Sequence, residues 1–433
     1  MKQRICTKCT NQISVNDNDS FVACPKCFSY HEVSESGIKF VSIFKNSNRP
    51  QEVCFELGQN IKVNGSFYTI TGITQRNDAT YKSFKWREYN LKSAINEDAF
   101  LNEYAGTWLL VKPLSVPPSL YVKGDTSIKH EDTKYNIFQT YKQEISWAIG
   151  NFDFDISDVS KLYSREFISP PKMLIYEVQK TLTESKPEWY EGEYVEAEDI
   201  YQEYLRLGNK TTFPPKYRVG ATEPYKSQFY REDASKMSLI ALAVILAIQL
   251  YFMATSPTKT VFRETFSVTD LKFDSSSTNL TSPKPIVSKT FSIDKTGKIE
   301  IELSTGVDNS WLESNITMVN ESTLEELPIV LGSEYYHGYE GGENWTEGST
   351  SASKDYSEVP AGKYHLLIET TTPSINGGTY EVKLQTGGIY WVNIFIILCL
   401  IAILPIIKYF QEYNFEKERW ADSDYSPYNH NEA

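Results

Sequence analysis

MSLIALAVILAIQLYFMA, residues 237–254, is the stretch that decides the architecture of this chain. It carries no charged residue, and at about 1.5 Å rise per residue a helix of this length crosses a hydrocarbon core of about 30 Å. A second stretch, IYWVNIFIILCLIAILPII at residues 389–407, has the same character. A buried helix in a large globular domain is the alternative. Because such a helix seldom lacks a polar stripe over this length, we interpret both stretches as transmembrane helices.

The composition indicates soluble material around these stretches. The chain has 433 residues, a mean hydropathy of −0.40 and a net charge of −13. The net charge argues against broad nucleic-acid binding, which needs a basic face to neutralise phosphates. The first thirty residues are polar, which predicts no N-terminal signal peptide. The stretch 237–254 must then direct its own insertion.

Two C-x2-C pairs near the N-terminus predict a metal site. Fourteen residues separate the pairs, close to the spacing of structural zinc sites, in which four thiolates complete a tetrahedral shell. The four cysteines are Cys6, Cys9, Cys24 and Cys27. We predict a zinc ribbon over residues 1–35 with Zn²⁺ in a structural role. Two disulfides are the alternative, which a reducing cytosol disfavours. His31 could be a spare ligand, but because four cysteines are already available we interpret it as a surface histidine.

Cysteine distribution and flanking charge both orient the spans. The region 255–388 contains no cysteine, which suits an exported domain, whereas the thiol-rich N-terminal end suits the cytosol. Within fifteen residues of the spans, six lysines and arginines lie on the proposed inner side and three on the outer side. We predict two spans in the cell (inner or cytoplasmic) membrane, cytosolic N- and C-termini, and an extracytoplasmic region 255–388.

The segments next to the spans are interpreted as connections. Residues 209–236 contain three prolines and are predicted to form a linker. Residues 408–433 are predicted to form a cytosolic tail, and their aromatic residues are expected at the inner membrane interface. These residues are Tyr409, Phe410, Tyr413 and Trp420.

Residues 50–208 have the pattern of a β-rich cytosolic domain. Alternating apolar residues flank an Asn64-Gly65 pair, which predicts a hairpin with a tight turn. A shift of the apolar face near Arg87-Glu88 predicts a β-bulge. Residues 197–207 place their apolar side chains on one helical face and precede Gly208, which predicts one C-terminal helix.

Two runs of landmarks in this domain resemble a known family. The first run is Gly58 … Tyr68-Thr-Ile-Thr-Gly72 … Trp86-Arg-Glu-Tyr89-Asn-Leu91 … Trp108-Leu109. The second run is Glu144-Ile-Ser-Trp147 … Pro170-Pro171 … Tyr176-Glu177 … Glu188-Trp-Tyr-Glu-Gly-Glu193-Tyr-Val195. Roughly residues 50–205 are therefore similar to the bacterial domain-of-unknown-function family 4178, although the spacing between Trp147 and Pro170 departs from its pattern. The resemblance implies a β-rich fold without an assigned activity, in membrane-linked and stress-linked settings.

Several glutamates of this domain could form a carboxylate site. They are Glu88, Glu177, Glu188, Glu191 and Glu193. Because no histidine accompanies them, we interpret them as solvated strand ends and turns. An enzyme would instead require Glu88, Glu177, Glu188 and Glu193 to converge in one pocket with raised pKa values.

Residues 258–386 alternate between apolar and polar positions and are interrupted by turn signals, which predicts an extracytoplasmic β-sandwich. One aromatic, glycine-rich loop in this region is a candidate surface for recognition of a sugar or peptide. Its residues are Tyr335, Tyr336, His337, Tyr339 and Trp345. Equally, these side chains could cover the open end of the sandwich.

The sequence therefore predicts a multidomain membrane protein. The favoured function is a non-enzymatic adaptor or sensor, linked to the envelope or to membrane stress, which meets a cytosolic protein partner and an extracytoplasmic ligand. Neither span contains an ionisable residue of the kind that ion pathways require. Ala243 and Ala247 permit close helix approach, within the chain or in a homo-oligomer. An enzyme using the glutamates, or a zinc-ribbon regulator contacting nucleic acid, are the alternatives.

Overall fold

The structure is a computed structural model. It describes residues 2–16, 19–118, 124–157, 162–180, 185–209, 212–255, 257–268, 271–273, 279–281, 284–373 and 378–428. The chain divides into two compact units. The first comprises Met1–Arg231 with Ile406–Ala433, and the second comprises Glu232–Pro405.

The first unit is built mainly from β-strands. Its described strands are β1 (Lys2–Ile5), β2 (Gln12–Val15), β3 (Phe21–Ala23), β4 (Ser29–Ser34), β5 (Gly37–Ile43), β6 (Asn60–Val63), β7 (Ser66–Asp78), β8 (Lys85–Ser93), β9 (Asp98–Tyr104), β10 (Thr107–Pro113), β11 (Ser127–His130), β12 (Thr133–Phe152), β13 (Leu162–Ser169), β14 (Lys172–Lys180) and β15 (Ser185–Val195). A 3-10 turn, Asn46–Asn48, and the helix α1 (Ala197–Arg206) complete this part of the unit.

Eight of the described strands close into an antiparallel barrel, in the order β7-β8-β9-β10-β15-β14-β13-β12. The long strand β12 closes it, because its first half pairs with β13 and its second half pairs with β7. Tyr141 lies opposite Ser164 of β13, whereas Gln143 lies opposite Asp78 of β7. A closed barrel has no free edge within this ring, which removes the unpaired backbone groups of an open sheet.

The same strand joins the barrel to the N-terminal hairpins. Residues Gly150–Phe152 at the end of β12 pair with β3, which continues into β4 and β5. Gly150 lies opposite Gly72 with φ +98°, and a Cβ atom there would collide with the carbonyl oxygen of Thr71. Glycine is required at this crossing because only a bare backbone allows the approach.

Local predictions for this unit have mixed outcomes. The hairpin is confirmed, since β6 and β7 flank Asn64 and Gly65, both at positive φ. The C-terminal helix is confirmed as α1. The bulge near Arg87-Glu88 is wrong, because the register shift lies between Ile70 and Gly72 of the neighbouring strand. The apolar pattern of β8 changed for another reason: both of its faces are buried, one inside the barrel and one beneath surrounding segments.

The second unit holds further β-structure between two long helices. The helices are α2 (Arg231–Thr255) and α3 (Trp391–Arg419), whose C-terminal part from Ile406 belongs to the first unit. The described strands between them are β16 (Lys259–Ser267), β17 (Lys272–Phe273), β18 (Leu280–Thr281), β19 (Ile286–Val287), β20 (Phe291–Ile293), β21 (Gly297–Thr305), β22 (Ser310–Asn320), β23 (Glu326–Glu340), β24 (Glu343–Ser349), β25 (Ser351–Val359), β26 (Gly362–Thr372) and β27 (Thr379–Thr386). Its described strands form two antiparallel sheets, one ordered β16-β27-β21-β25 and the other centred on β26 and β22. Ile301, Leu384, Ile316 and Leu366, from both sheets, belong to one apolar core.

The helices α2 and α3 are apolar, and their central parts are largely exposed. Among the described residues, these two helices are long and apolar enough to cross a membrane. In the most apolar eighteen-residue segment of each helix, no residue is buried. α2 begins six residues before the predicted span at 237, and α3 continues twelve residues beyond the predicted end at 407. The predicted tail therefore starts as an extension of α3.

Candidate functional site

The four cysteines lie in the turns of the N-terminal hairpins. Cys6 follows β1, and Cys24 follows β3. The Sγ atoms of all four lie within 4.8 Å of one another, with Cys6–Cys27 and Cys9–Cys24 each 3.6 Å apart. A tetrahedral site with metal–sulfur bonds of about 2.3 Å gives sulfur–sulfur distances of about 3.8 Å. The cluster of free thiols therefore has the chemistry and spacing to hold a metal ion.

The surroundings of the cysteine cluster affect its thiols unequally. Burial raises the pKa of Cys24 to about 12. Burial also acts to raise the pKa of Cys6, but hydrogen bonds from Ser29 and the Lys8 amide outweigh it and lower that pKa to about 6. A bound cation would favour the thiolate form of every ligand.

His31 is not a surface residue, contrary to the prediction. Its side chain is fully buried, with Nε2 3.0 Å from Thr7 Oγ1 and 4.0 Å from Cys6 Sγ. Burial lowers the pKa of His31, which favours the neutral ring beside the cluster. The register of β4 turns this ring inward, and the spacing of the cysteines does not reveal that register.

The barrel interior has a polar middle beside an apolar cluster that includes Val111, Met173 and Ile175. Alternate residues of each barrel strand point inward, and in the middle of the barrel many of them are charged or can form hydrogen bonds. Arg76 Nη2 donates to Glu88 Oε1 at 2.5 Å, and Arg76 Nη1 donates to Gln143 Oε1. Gln143 Nε2 donates to Ser164 Oγ at 2.6 Å and to Glu177 Oε1. These five side chains form one network, which we call the lumen network.

The lumen network holds its carboxylates away from bulk water. Burial raises the pKa of Glu88, and the Arg76 guanidinium partly offsets this effect. Burial also raises the pKa of Glu177, which accepts a second hydrogen bond from Ser164 Oγ at 3.2 Å. Buried carboxylates of this kind are stable only when donors or cations surround them.

A third carboxylate adjoins the network. Tyr141 OH donates to Glu166 Oε1 at 2.7 Å. Burial and the nearby Glu177 raise the pKa of Glu166 to about 7, although the hydrogen bond from Tyr141 acts in the opposite direction. Glu166 can therefore gain or lose a proton close to neutral pH.

Among the described residues, two cavities open into this interior. The first has a volume of about 170 Å³ and is lined by Trp86, Tyr141 and Glu166. The second has a volume of about 340 Å³ and is lined by Arg76 and Phe100. Both cavities are lined by Glu88, Asn102, Ile175 and Glu177. The lumen network therefore lies where the two cavities meet.

The predicted glutamates separate into two groups. Glu88 and Glu177 converge in the lumen with raised pKa values, so their interpretation as solvated residues is wrong. Glu188 lines the second cavity near its edge and accepts a hydrogen bond from Tyr190 OH at 2.7 Å. Glu191 pairs with Lys172 at 2.7 Å, and Glu193 is exposed. The four-glutamate pocket required for the enzyme hypothesis is thus present only in part.

Sequence reasoning missed most of the lumen. Arg76, Tyr141, Gln143, Ser164 and Glu166 were not predicted as site residues. The signal was weak, because β12 places Gln139, Tyr141 and Gln143 on one face, but residues of the opposite face, such as Lys142 and Glu144, are polar as well. In a half-exposed sheet this pattern indicates the solvent face. Only closure of the barrel places this polar face of β12 in the interior.

The residues after α3 cover the first cavity. Trp420 packs on Phe138 with ring centroids 5.4 Å apart, and Ser423 Oγ donates to the Phe138 carbonyl oxygen. Arg419 is buried and donates to the carbonyl oxygens of Gly220 and Ala221. Trp420 was expected at the membrane interface, but its ring lies on the barrel. We call residues 419–425 the C-terminal cover.

The predicted recognition loop of the second unit is a hairpin, which corrects the loop assignment. Tyr335 to Tyr339 lie in β23, Trp345 lies in β24, and the turn is Gly341-Gly342. Tyr339 and Trp345 are exposed, and the Trp345 ring covers Gly338, where a Cβ atom would lie 2.8 Å from the ring. His337 Nε2 lies 2.7 Å from Asp308 Oδ1.

Comparison with known proteins adds a domain assignment. Residues 56–197 match the model of the family described as domain of unknown function (DUF4178), which confirms the resemblance for that region. The match covers the barrel strands from β7 to β15. No curated protein sequence matches the chain.

Solved structures with some likeness share little with this chain. A carbohydrate-binding module (CBM6cm-2) from Cellvibrio mixtus lichenase 5A, in complex with cellotriose, has 10% identity, a TM-score of 0.15 and coverage of 30% of this chain and 100% of its own. A structure of infectious bursal disease virus, Gx strain, has 10% identity, a TM-score of 0.15 and coverage of 87% and 69%, respectively. These TM-scores are too low to indicate a shared fold.

Proposed function

We propose that this chain is a membrane-anchored, non-enzymatic sensor or adaptor. In this proposal α2 and α3 span the cell membrane, and both termini lie in the cytosol. The cysteine cluster binds structural zinc, and residues 258–386 form an extracytoplasmic β-sandwich. The observation that carries the proposal is the pair of long apolar helices, whose large apolar side chains are mostly exposed and would be accommodated by lipid.

The barrel supports the sensing part of this proposal. Its lumen combines cavities with hydrogen-bonding side chains, which is the composition of a small-molecule site. The C-terminal cover lies over one cavity and is continuous with α3 in sequence. A ligand in this cavity would therefore contact the segment that directly follows the second span. The exposed aromatic hairpin of the second unit offers a separate surface for an extracytoplasmic ligand.

Cysteine labelling tests the topology. The variants are Thr350→Cys in the second unit and Ser83→Cys in the first, both at exposed positions. A membrane-impermeant maleimide should label Thr350→Cys in intact cells, and should label Ser83→Cys only after permeabilisation. The unsubstituted chain gives the background from its native thiols. The reverse pattern, or labelling of both variants in intact cells, overturns the topology.

Metal analysis tests the zinc assignment on the purified full chain. We expect about one zinc ion per chain, because four thiolates complete one tetrahedral shell. The variant Cys24→Ser should lose the metal, whereas Cys54→Ser, outside the cluster, should retain it. A folded chain without zinc, or with another metal, overturns this part of the proposal.

An enzyme that uses lumen carboxylates is the second candidate. Convergence of Glu88 and Glu177 in the lumen favours it, together with a pKa of Glu166 close to that of a general acid or base at neutral pH. Mass spectrometry of a bound small molecule separates the two functions. Recovery of the molecule unchanged after prolonged incubation supports the sensor, and turnover that Glu166→Gln abolishes supports the enzyme.

A further inference from the structure

We propose that the lumen of the barrel binds a small organic cation, with an ammonium or guanidinium group on a short apolar stem. This inference rests on the proposed sensing role and names its ligand class. Three features of the lumen carry it: an excess of carboxylates, unpartnered oxygen acceptors and aromatic walls.

The charge balance of the lumen is negative. Nine carboxylates line the two cavities, against two guanidinium groups. Several of these carboxylates have partners at the rim, such as Asp98 with Lys92 at 2.5 Å and Asp422 with Arg218. In the centre, Arg76 interacts with Glu88 and Glu177, whereas Glu166 accepts a hydrogen bond from the neutral Tyr141 hydroxyl. A further positive charge would offset the cost of burying these carboxylates.

The inward face also offers hydrogen-bond acceptors that no described residue satisfies. Asn102 Oδ1, on a residue that lines both cavities, is buried without a partner, as are Asn90 Oδ1 and the Thr74 hydroxyl, which can donate as well as accept. Thr74 is 1% exposed and Asn90 is 8% exposed, and the strand register places all three on the face that carries Glu88. Buried polar atoms are almost always satisfied, so these oxygens indicate a missing donor. Ammonium and guanidinium groups carry several N–H donors and no acceptor.

Aromatic rings provide the rest of the walls. Trp86 and Tyr141 line the first cavity, with centroids 5.4 Å apart and an interplanar angle of 81°. Phe100 and Tyr190 line the second cavity, also in edge-to-face contact. Aromatic faces attract cations and accommodate apolar stems, which distinguishes an organic cation from a bare metal ion. The larger cavity, about 340 Å³, lies within the size range of small-molecule sites.

A matched series of four-carbon probes tests the ligand class on the full chain in detergent or nanodiscs. The probes are butylammonium, butylguanidinium, 1-butanol and butyrate, with Mg²⁺ as the inorganic cation. Isothermal titration calorimetry and the melting temperature are the two readouts. We expect one or both organic cations to bind and to raise the melting temperature, and the neutral, anionic and inorganic probes to have no effect.

Two variants locate the site. Glu177→Gln keeps the hydrogen bonds from Gln143 and Ser164 but removes the charge, and should weaken cation binding about tenfold or more. Glu193→Gln, on the exposed side of the neighbouring strand β15, is the matched control and should bind like the unsubstituted chain. If Glu177→Gln fails to fold, Glu166→Gln takes its place, with the same expected loss.

Other outcomes overturn the inference. They are equal binding of 1-butanol, preferential binding of butyrate or Mg²⁺, absence of binding at millimolar concentrations, and cation binding that neither lumen variant reduces. The topology experiment is independent of all these probes. A chain with the expected labelling but no cation binding would retain its proposed anchoring and lose only this ligand class.

Discussion

The barrel of the first unit and the paired sheets of the second are built from strands with similar alternation, yet their interiors differ. The core of the second unit is apolar, and its buried polar groups are mainly small side chains such as the Ser314–Thr370 hydroxyl pair, 2.9 Å apart. The barrel instead encloses Arg76, Glu88 and Glu177. Two sheets can approach until their side chains interdigitate, whereas a ring of eight strands fixes an internal diameter.

The comparison shows that alternation of apolar and polar residues identifies a strand, but it does not identify which residues line the interior. In the second unit the apolar face is the interior. In the barrel, the apolar outer face of strands such as β8 is also buried, because α1 and neighbouring segments pack against it. The polar face then becomes a second, internal surface. Part of that surface packs as an apolar cluster around Val111 and Ile175, and its polar part borders the two cavities.

The largest expected effect comes from removal of Arg76, the central cation of the lumen network. Arg76→Met leaves Glu88 buried without its ion-pair partner, which should lower the free energy of unfolding by about 3–5 kcal/mol. The measurement is urea unfolding followed by tryptophan fluorescence. The double variant Arg76→Met with Glu88→Met removes both charges and should recover most of this loss. Equal destabilisation by both variants would contradict a charge-based cost.

A smaller effect concerns pH. The pKa of Glu166 is about 7 in the folded chain, above the ordinary value of 4.5, so the folded state holds its proton more tightly than the unfolded state does. Its contribution to stability is complete below about pH 4.5 and is lost as the pH rises through about 7. Over that range the loss should reach about 3 kcal/mol.

Glu166→Gln should remove this pH-dependent loss. Melting temperatures of both proteins, measured from pH 5 to pH 8, should show the unsubstituted chain falling relative to Glu166→Gln. Glu193→Gln is the control and should follow the unsubstituted chain. Parallel curves for Glu166→Gln and the unsubstituted chain would place the pKa of Glu166 near its ordinary value.

The smallest expected effect concerns the C-terminal cover. Ser423→Ala removes a buried hydrogen bond to the Phe138 carbonyl oxygen and should cost about 1 kcal/mol. Because the loss is local, limited proteolysis after Arg419 is the sharper measurement, and it should become faster. The control is Asp424→Ala at an exposed position. Unchanged proteolysis of Ser423→Ala would show that this bond does not hold the cover.

Elements with strong local signals were predictable. The Asn64-Gly65 turn, the helix α1, the cysteine cluster and the two apolar helices each depend on residues close together in sequence or on simple spacing. Each is confirmed as an element, whereas the identity of the metal and the membrane topology stay predictions. The aromatic residues near Trp345 were assigned to a loop, but they lie in the strands β23 and β24.

Features that depend on distant pairing were not predictable. Closure of the barrel requires β12 to pair with β7 across about seventy residues, and no local pattern specifies that pairing. The inward position of Glu88 follows from closure alone. The partial burial of Trp420 follows from a contact with Phe138, which lies nearly three hundred residues earlier in the sequence. Local periodicity contains neither fact.

The continuity of β12 gives the cysteine cluster and the lumen a common mechanical element. Its residues 143–150 form the seam that closes the barrel, and residues 150–152 hold β3, which ends at Cys24. A metal ion that orders the cysteine turns would therefore stabilise the pairing of β12 with β7. A molecule that stabilises this pairing would in turn raise the affinity of the cysteine cluster for the ion. Thermodynamic reciprocity requires the two enhancements to be equal. Chelation of the metal and removal of a ligand from the lumen would then each destabilise the same strand, β12.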